Sequence, residues 1–359
     1  MTPRERWLAL LEGGTPDRVP TDYRATREVT DRLLTELGCE DKDALGRRLH
    51  LDSPRTVAPT WEPIEHRSGS EVASDDATRP PPDMWGVRYR RIDYGRGTYD
   101  EPDFHPLAAA QDVADVHAHP WPDPEAFNYD TVRRQVEEDD GRRALVAGHY
   151  EPFLLYGYLR GLEQSFEDLA LYPDIADAIL GHLFDFYYER NRRVFEATAG
   201  KIDITIVADD LGSQTGPLMS LEMYRRFLRD HQRKMADLGR SFGAHVYYHT
   251  DGAARMFLPD LIDVVGIEVL DPIQWRCPGM ERDALVRDFG RHVVFHGSID
   301  NQQTLAFGSV DDVVEEVTDS LRIYRDARWI CGPCHNIQPV SPTANIVAMY
   351  ETIWEHGAG

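Results

Sequence analysis

From about residue 143 onward the chain alternates short apolar runs with longer stretches of helical periodicity. The runs are "ALVA" at 144–147, "IDITIVA" at 202–208, "AHVYY" at 244–248, "VVGIEV" at 264–269, "HVVF" at 292–295 and "RWIC" at 328–331. They are short, apolar on consecutive positions and bounded by polar or turn residues, which predicts buried strands. Between them, residues 175–198, 221–242 and 310–324 repeat apolar positions at helical spacing. Ser309 and Asp312 have the spacing of a capping box, and Pro342 after Ser341 marks the first position of a last helix. Strand and helix in alternation imply a parallel sheet covered by helices. Six strands are clear, and "DRVPTDY" at 17–23 and the segment near Thr56-Val57 offer one or two more, which would close an eight-stranded barrel. The predicted fold class is therefore α/β, a (β/α)8 TIM barrel with an N-terminal helical and hairpin extension. An open doubly wound sheet ranks second. No G-x-G-x-x-G follows any strand, and no Walker loop is present.

The N-terminal third reads differently. Residues 4–12 and 28–37 are helical, and 51–124 is rich in Pro, Asp and Trp, with a hairpin predicted over 87–99 around Gly95 and Gly97. Such a segment reads as a lid on the barrel. We expect one domain over 1–359, with 1–142 giving the extension and early barrel elements and 143–359 the clear β/α repeats.

Composition narrows the partners. With 39 Lys and Arg against 62 Asp and Glu, the formal charge is −23. That field repels phosphate backbones and anionic lipid, so neither nucleic acid nor membrane is expected as a partner. Four cysteines in 359 residues fit a reducing compartment. With no apolar span and no secretory leader at the charged start, a cytoplasmic location is expected. Homodimerisation is left open.

The polar residues concentrate where strands end. In order along the chain these are His149 and Glu151; Asp209 and Asp210 with Gln214 behind; His249-Thr250-Asp251; Glu268 and Asp271; His296 and Asp300; and finally Cys331, Cys334, His335 and Asn336. In a parallel barrel all these ends share the face that carries chemistry. Blander readings stand beside these. One of Asp209 and Asp210 caps a helix, His245 belongs to the core, and Glu268 pairs with a buried Arg. His50, His182 and His231 lie on helical patterns and receive no role.

"CGPCH" at 331–335 looks like a thiol–disulfide motif. A redox C-x-x-C needs a helix N-terminus at its first cysteine to lower the thiol pKa. Here Pro339 and Pro342 postpone the next helix, and too little chain follows for a redox domain. The two thiols then become either packing residues or strand-end ligands. His, Cys and carboxylate together suit Zn²⁺, from His249, Cys334 (or Cys331) and one of Asp251 and Glu151.

Three long segments resemble one superfamily: "HTDGAARMFLPDLIDVVGIEVLDPIQW", "VVFHGSIDNQQTLAFGSVDDVVEEV" and "CHNIQPVSPTANIVAMYETI". With the opening "TPRERWLALLEGGTPDRVP" they are similar to the uroporphyrinogen decarboxylase superfamily, in the non-porphyrin branch that holds cobalamin-dependent methyltransferases. The resemblance implies a barrel with an N-terminal extension. The R-Q-A-G-R segment that binds porphyrinogen carboxylates is missing, its place taken by "YRATRE" at 23–28. His335 matches a late family histidine. The methyltransferase branch holds zinc with an H-x-C pair and a later Cys, whereas this chain reads His249-Thr250-Asp251. Asp for Cys makes any such site harder and less thiolate-rich.

The leading expectation is methyl transfer on a small methylated substrate, zinc-assisted, with the corrinoid carried by a separate protein because no D-x-H-x-x-G signature is present. The alternative is cofactor-free decarboxylation of a small carboxylate or a porphyrinogen-like molecule, and a third reading is a non-catalytic binding barrel. Asp209, Asp210, Asp251 and His335 are the expected catalytic residues. Glu151, Gln214, His296, Asp300 and Asn336 are expected to bind substrate, and His249 and Cys334 to bind metal with Asp251 or Glu151.

Overall fold

The computed structural model describes residues 1–61, 81–95, 97–148 and 150–358; His149 lies outside them. Seven parallel strands form one curled sheet in chain order: β1 (Arg55–Thr56), β2 (Leu145–Ala147), β3 (Ile204–Ala208), β4 (His245–His249), β5 (Val269–Asp271), β6 (Val294–Ile299) and β7 (Trp329–Pro333). The gap between β7 and β1 is filled by the predicted eighth stave. Cys331 N donates to Pro20 O at 2.9 Å and Asp22 N to Cys331 O at 2.8 Å, while on the other side Asp52 N donates to Thr21 O at 2.9 Å. Pro20 has no N–H to give, so this stave pairs only at bridge length. The sheet is therefore barrel-like, with one short irregular stave.

The first helix, Pro3–Leu11, starts on a capping box of Thr2 and Glu5 and plugs the lower end of the barrel. Trp7, Leu10 and Leu11 pack there against Val146, Ile204, Tyr247, Val269, Val294 and Ile330, all pointing into the lumen. Outside, a larger apolar cluster joins the sheet to the covering helices, among them Pro173–Thr198, Val310–Ile323 and Thr343–His356. The predicted hairpin is present as Arg88–Asp93 against Thr98–Phe104. No helix among the described residues is long and apolar enough to cross a membrane.

Three local expectations change. The fourth run is not a strand from 264: Leu261–Val265 is a π-helical turn, and the strand begins at Val269. Arg240 donates to Val265 O and Gly266 O at 2.9 Å each, and Gly266 ends the turn at φ +77°. The helix expected over 221–242 contains a π-helical turn at Arg225–Arg229. Pro342 is the cap of the last helix instead of its first residue. The Ser309–Asp312 capping box forms as expected.

Candidate active site at the carboxyl ends of the strands

A cavity of about 580 Å³ opens among the strand ends. Arg24, Glu151, Arg190, Tyr247, His249 and His335 line it. Its floor is a chain of charged groups built on Asp271, the last residue of β5. One Asp271 oxygen accepts from His296 Nδ1 at 2.5 Å; the other accepts from His249 Nδ1 and from Arg24, both at 2.7 Å. Arg24 also donates to the Tyr247 hydroxyl and lies 3.3 Å from Asp22. His296 Nε2 lies 3.1 Å from the same Asp22 oxygen, Oδ2. The floor is shielded from solvent, with Asp271 and His296 wholly buried. Burial alone would neutralise Asp271, but Arg24 and His296 outweigh it and hold the carboxyl well below its usual range. Burial likewise opposes charge on His296, and Asp271 and Asp22 raise its pKa regardless.

Above this floor stands His249. Asp271 fixes its Nδ1, so Nε2 faces the cavity, 3.9 Å from Asp210 and 4.0 Å from Asp251. Burial disfavours the imidazolium, yet the Asp271 contact pushes the pKa up to about 9. The nearby carboxyls move in the same direction for a different reason. Burial first, then the Asp210 charge, push Asp251 up to about 7, and burial with Asp210 and Asp251 raises Glu151. Asp251 Oδ1 is buried without a hydrogen-bond partner. His335 Nε2 sits 3.7 Å from the other Asp251 oxygen, and burial and His249 lower its pKa. The group thus combines a cationic imidazole, one carboxyl that holds its proton near neutrality, a second carboxyl of raised pKa and a neutral imidazole.

Two glycines fix the spacing of the carboxylates. The loops after β3 and β4 touch backbone to backbone: a Cβ on Gly212 would meet Ala253 N at 2.4 Å, and one on Gly252 would meet Gly212 C and Ser213 O at 2.5 Å. Ala253 N donates to Ser213 O at 2.9 Å, Leu211 N to Thr250 Oγ1 at 2.9 Å, and Asp251 N to Asp210 at 2.9 Å. Only residues without side chains permit this approach, which holds Asp210 and Asp251 side by side.

The other expected site residues fall into three sets. Glu151 and Asn336 line the cavity, as does His335. Asp209, His296 and Asp300 turn away from it. Asp209 is buried and accepts from Phe153 N at 2.7 Å and Gln232 Nε2 at 3.1 Å, so it caps the helix Pro152–Arg160. His296 belongs to the buried floor and does not line the cavity. Asp300 accepts from Arg276 at 2.5 Å and caps the turn at Gln302 N. Gln214 donates to Gln274 at 3.0 Å in a second cleft, which Asp251 and His335 also line. Cys334 does not meet His249: its thiol donates to Ile273 O at 3.1 Å, and burial raises its pKa well above normal, as it does for Cys331. Both are inert packing thiols, since neither lies near a cation that would favour the thiolate. Glu268 pairs with His245 at 2.6 Å instead of with an arginine.

Among the described residues, Asp210, His249 and Asp251 form the one group whose donor atoms come within metal-binding reach of one another. One imidazole backed by a carboxylate, with two carboxylate donors, fits a divalent cation that prefers N and O ligands. The zinc–thiolate set expected from Cys334 does not assemble. Sequence reasoning missed Arg24, Asp22 and Tyr247. The first two sit on the short stave, whose strand pattern is cut by Pro20. Tyr247 sits inside an apolar run and reads as core.

The uroporphyrinogen decarboxylase (URO-D) family model matches residues 81–356. No curated protein matches this chain. Among solved structures, a methyltransferase from Methanosarcina mazei superposes with a TM-score of 0.67 at 18% identity, covering 99% of each chain. That likeness establishes the fold alone. A 3-keto-D-glucoside 4-epimerase from E. coli, at a TM-score of 0.36 and 13% identity over 71% of this chain and 96% of its own, is too distant to carry an argument. With the family match spanning more than three quarters of its length, the chain belongs to the uroporphyrinogen decarboxylase family.

Proposed function

We propose that the cavity decarboxylates a small, electron-rich carboxylate by acid–base chemistry of its own side chains. The observation that carries this reading is the proton-holding pair above a cationic floor: Asp251, with a pKa of about 7, stands 4.0 Å from the His249 imidazolium. Arg24 and His249 draw the substrate anion inward. Arg190 offers a second guanidinium on the wall, donating to Asn191 at 3.4 Å and lying over Phe127, with no carboxylate partner among the described residues. One unpaired guanidinium suits one carboxylate, and a polycarboxylated tetrapyrrole would outnumber it.

In the reaction the bond between carbon and carboxylate breaks and its electron pair stays on carbon. That carbon takes the proton of the Asp251 carboxyl, CO₂ leaves, and solvent reprotonates Asp251. General acid catalysis of this kind contributes roughly 10²–10⁴-fold. His335, neutral and half exposed, stands where it can pass the replacement proton.

A second reading is methyl transfer, favoured by the Asp210, His249 and Asp251 donor set with Asp271 behind His249. A divalent cation there would act as a Lewis acid on the leaving heteroatom. The methyl carrier would be a corrinoid on a separate protein. The two readings separate in one experiment. Carboxyl-labelled 4-hydroxybenzoate and pyrrole-2-carboxylate are incubated with chelator-treated protein, and labelled CO₂ is measured. Release that falls at least 100-fold in Asp251→Asn supports decarboxylation. Loss of methyl groups from methylcobalamin that a chelator abolishes, with no CO₂ from either acid, replaces it with methyl transfer.

A further inference from the structure

A second cavity, larger than the one with the chemistry, stands beside it. A groove of about 1000 Å³ runs between the first helix, the short stave, the helix Lys42–Arg48 and the turn at 140–143. Seven cationic side chains line it against four carboxylates. With the carboxylates just outside the lining that pair with them (Asp17, Asp22 and Asp271) the charges balance, and what sets the groove apart is that three of its cations stand unpaired. Four of the seven cations are compensated: Arg6 by Asp17 and Asp52, Arg18 by Asp52, Arg24 by Asp22 and Asp271, and Arg143 by Asp43 at 3.6 Å. Lys42, Arg47 and Arg142 have no carboxylate partner among the described residues, and all three are exposed on the rim.

The groove wall is also built. Arg18 is 8% exposed, bonds to Val19 O, His50 O and Asp52, and keeps a buried Nε–H with no partner. Its guanidinium lies 5.2 Å over the Trp354 ring, and His50 stacks on the same ring at 3.8 Å. His50 holds that position with a left-handed backbone, φ +56°. The groove adjoins the catalytic cavity, for Tyr23, Arg24, Ser53 and Asn336 line both. Unpaired cations lining a cleft with low-dielectric walls concentrate counter-anions in it.

We propose that this groove binds a small, multiply charged anion, bearing phosphate or several carboxylates, and presents it to the neighbouring cavity. Guanidinium and ammonium groups on a common rim meet such an anion from several sides, which a single carboxylate does not need. The proposal does not depend on the reaction assigned to the cavity, since its test reads binding alone.

The test is calorimetric titration of the full chain with pyrophosphate and, separately, with citrate at low ionic strength. Lys42→Glu with Arg142→Glu is compared with Arg291→Glu and Arg325→Glu, two exposed arginines elsewhere, so that both pairs change the net charge equally. Glu at position 42 opens a helix and is compatible with folding. The expected result is binding that weakens at least tenfold in the groove pair and less than twofold in the control pair. The tighter of the two anions tells whether phosphate or carboxylate is preferred. Binding of neither anion, or equal weakening in both pairs, overturns the proposal.

Discussion

Strand β4 carries a histidine at each end, and both donate Nδ1 to an acid of the next strand segment: His245 to Glu268 at 2.6 Å, His249 to Asp271 at 2.7 Å. Both have raised pKa values, His245 mainly through its hydrogen bond to Glu268, His249 through Asp271 against strong burial. The pairing is the same and the setting is not. His245 and Glu268 keep 23% and 34% of their side chains exposed, whereas His249 keeps 14% and Asp271 none. At His249 the second nitrogen faces two more carboxylates, close enough for all three to share one ion; among the described residues no such group forms at His245. A carboxylate behind a histidine orients it, and the surroundings of the other nitrogen decide whether that orientation has a use.

The comparison breaks hardest at Asp271. Asp271→Asn removes the partner of His249, His296 and Arg24 at once and leaves buried cations uncompensated. We expect a loss of about 3–5 kcal/mol in a urea melt, with turnover abolished. Glu268→Gln, its counterpart at the exposed end, is expected to cost about 0–1 kcal/mol. Next comes the histidine itself. His249→Gln should lower turnover at least 100-fold with the fold intact by circular dichroism, and His245→Gln should leave turnover within twofold. Equal effects of the two changes would show that orientation alone carries the chemistry.

That difference between the two ends is only partly legible in the sequence. The strand-end rule brought out His249, Asp251, Asp210 and Glu151, because a parallel barrel gathers those ends on one face. It also swept in Asp209, His296 and Asp300, since chain position does not say whether a carboxylate turns to the cavity or to a neighbouring helix. Cys334 fell into the same trap: its thiol faces the β5–β6 side, toward Ile273 O. Arg24 and Tyr247 escaped for the opposite reason. Arg24 lies more than two hundred residues along the chain from both Asp271 and Tyr247, and only barrel closure joins them.

A smaller effect sharpens the role of Asp251. Its folded pKa of about 7 lies above the ordinary carboxylate value, so the folded state holds a proton that the unfolded state releases. Its contribution is full below about pH 4 and is lost as pH rises through 7. Asp251→Asn should therefore be more stable than the parent at pH 8, by on the order of 1–3 kcal/mol, and nearly equal to it at pH 4. Melts at the two pH values check this, and a deficit at pH 8 would mean that the carboxylate is stabilised there by a bound cation. Turnover should fall above pH 7 as the donor ionises. Last in size, Cys334→Ala should cost about 1–2 kcal/mol in packing and leave metal content and ligand binding unchanged.

The glycine contact between the loops after β3 and β4 has a consequence for how such a site is tuned. Two like charges on free loops would swing apart. Gly212 and Gly252 lock the two loops against one another, so Asp251 keeps its burial and the Asp210 charge beside it. Burial contributes most to its proton affinity and Asp210 adds to it. The proton affinity of Asp251 thus depends on a distance that two backbones in contact hold fixed.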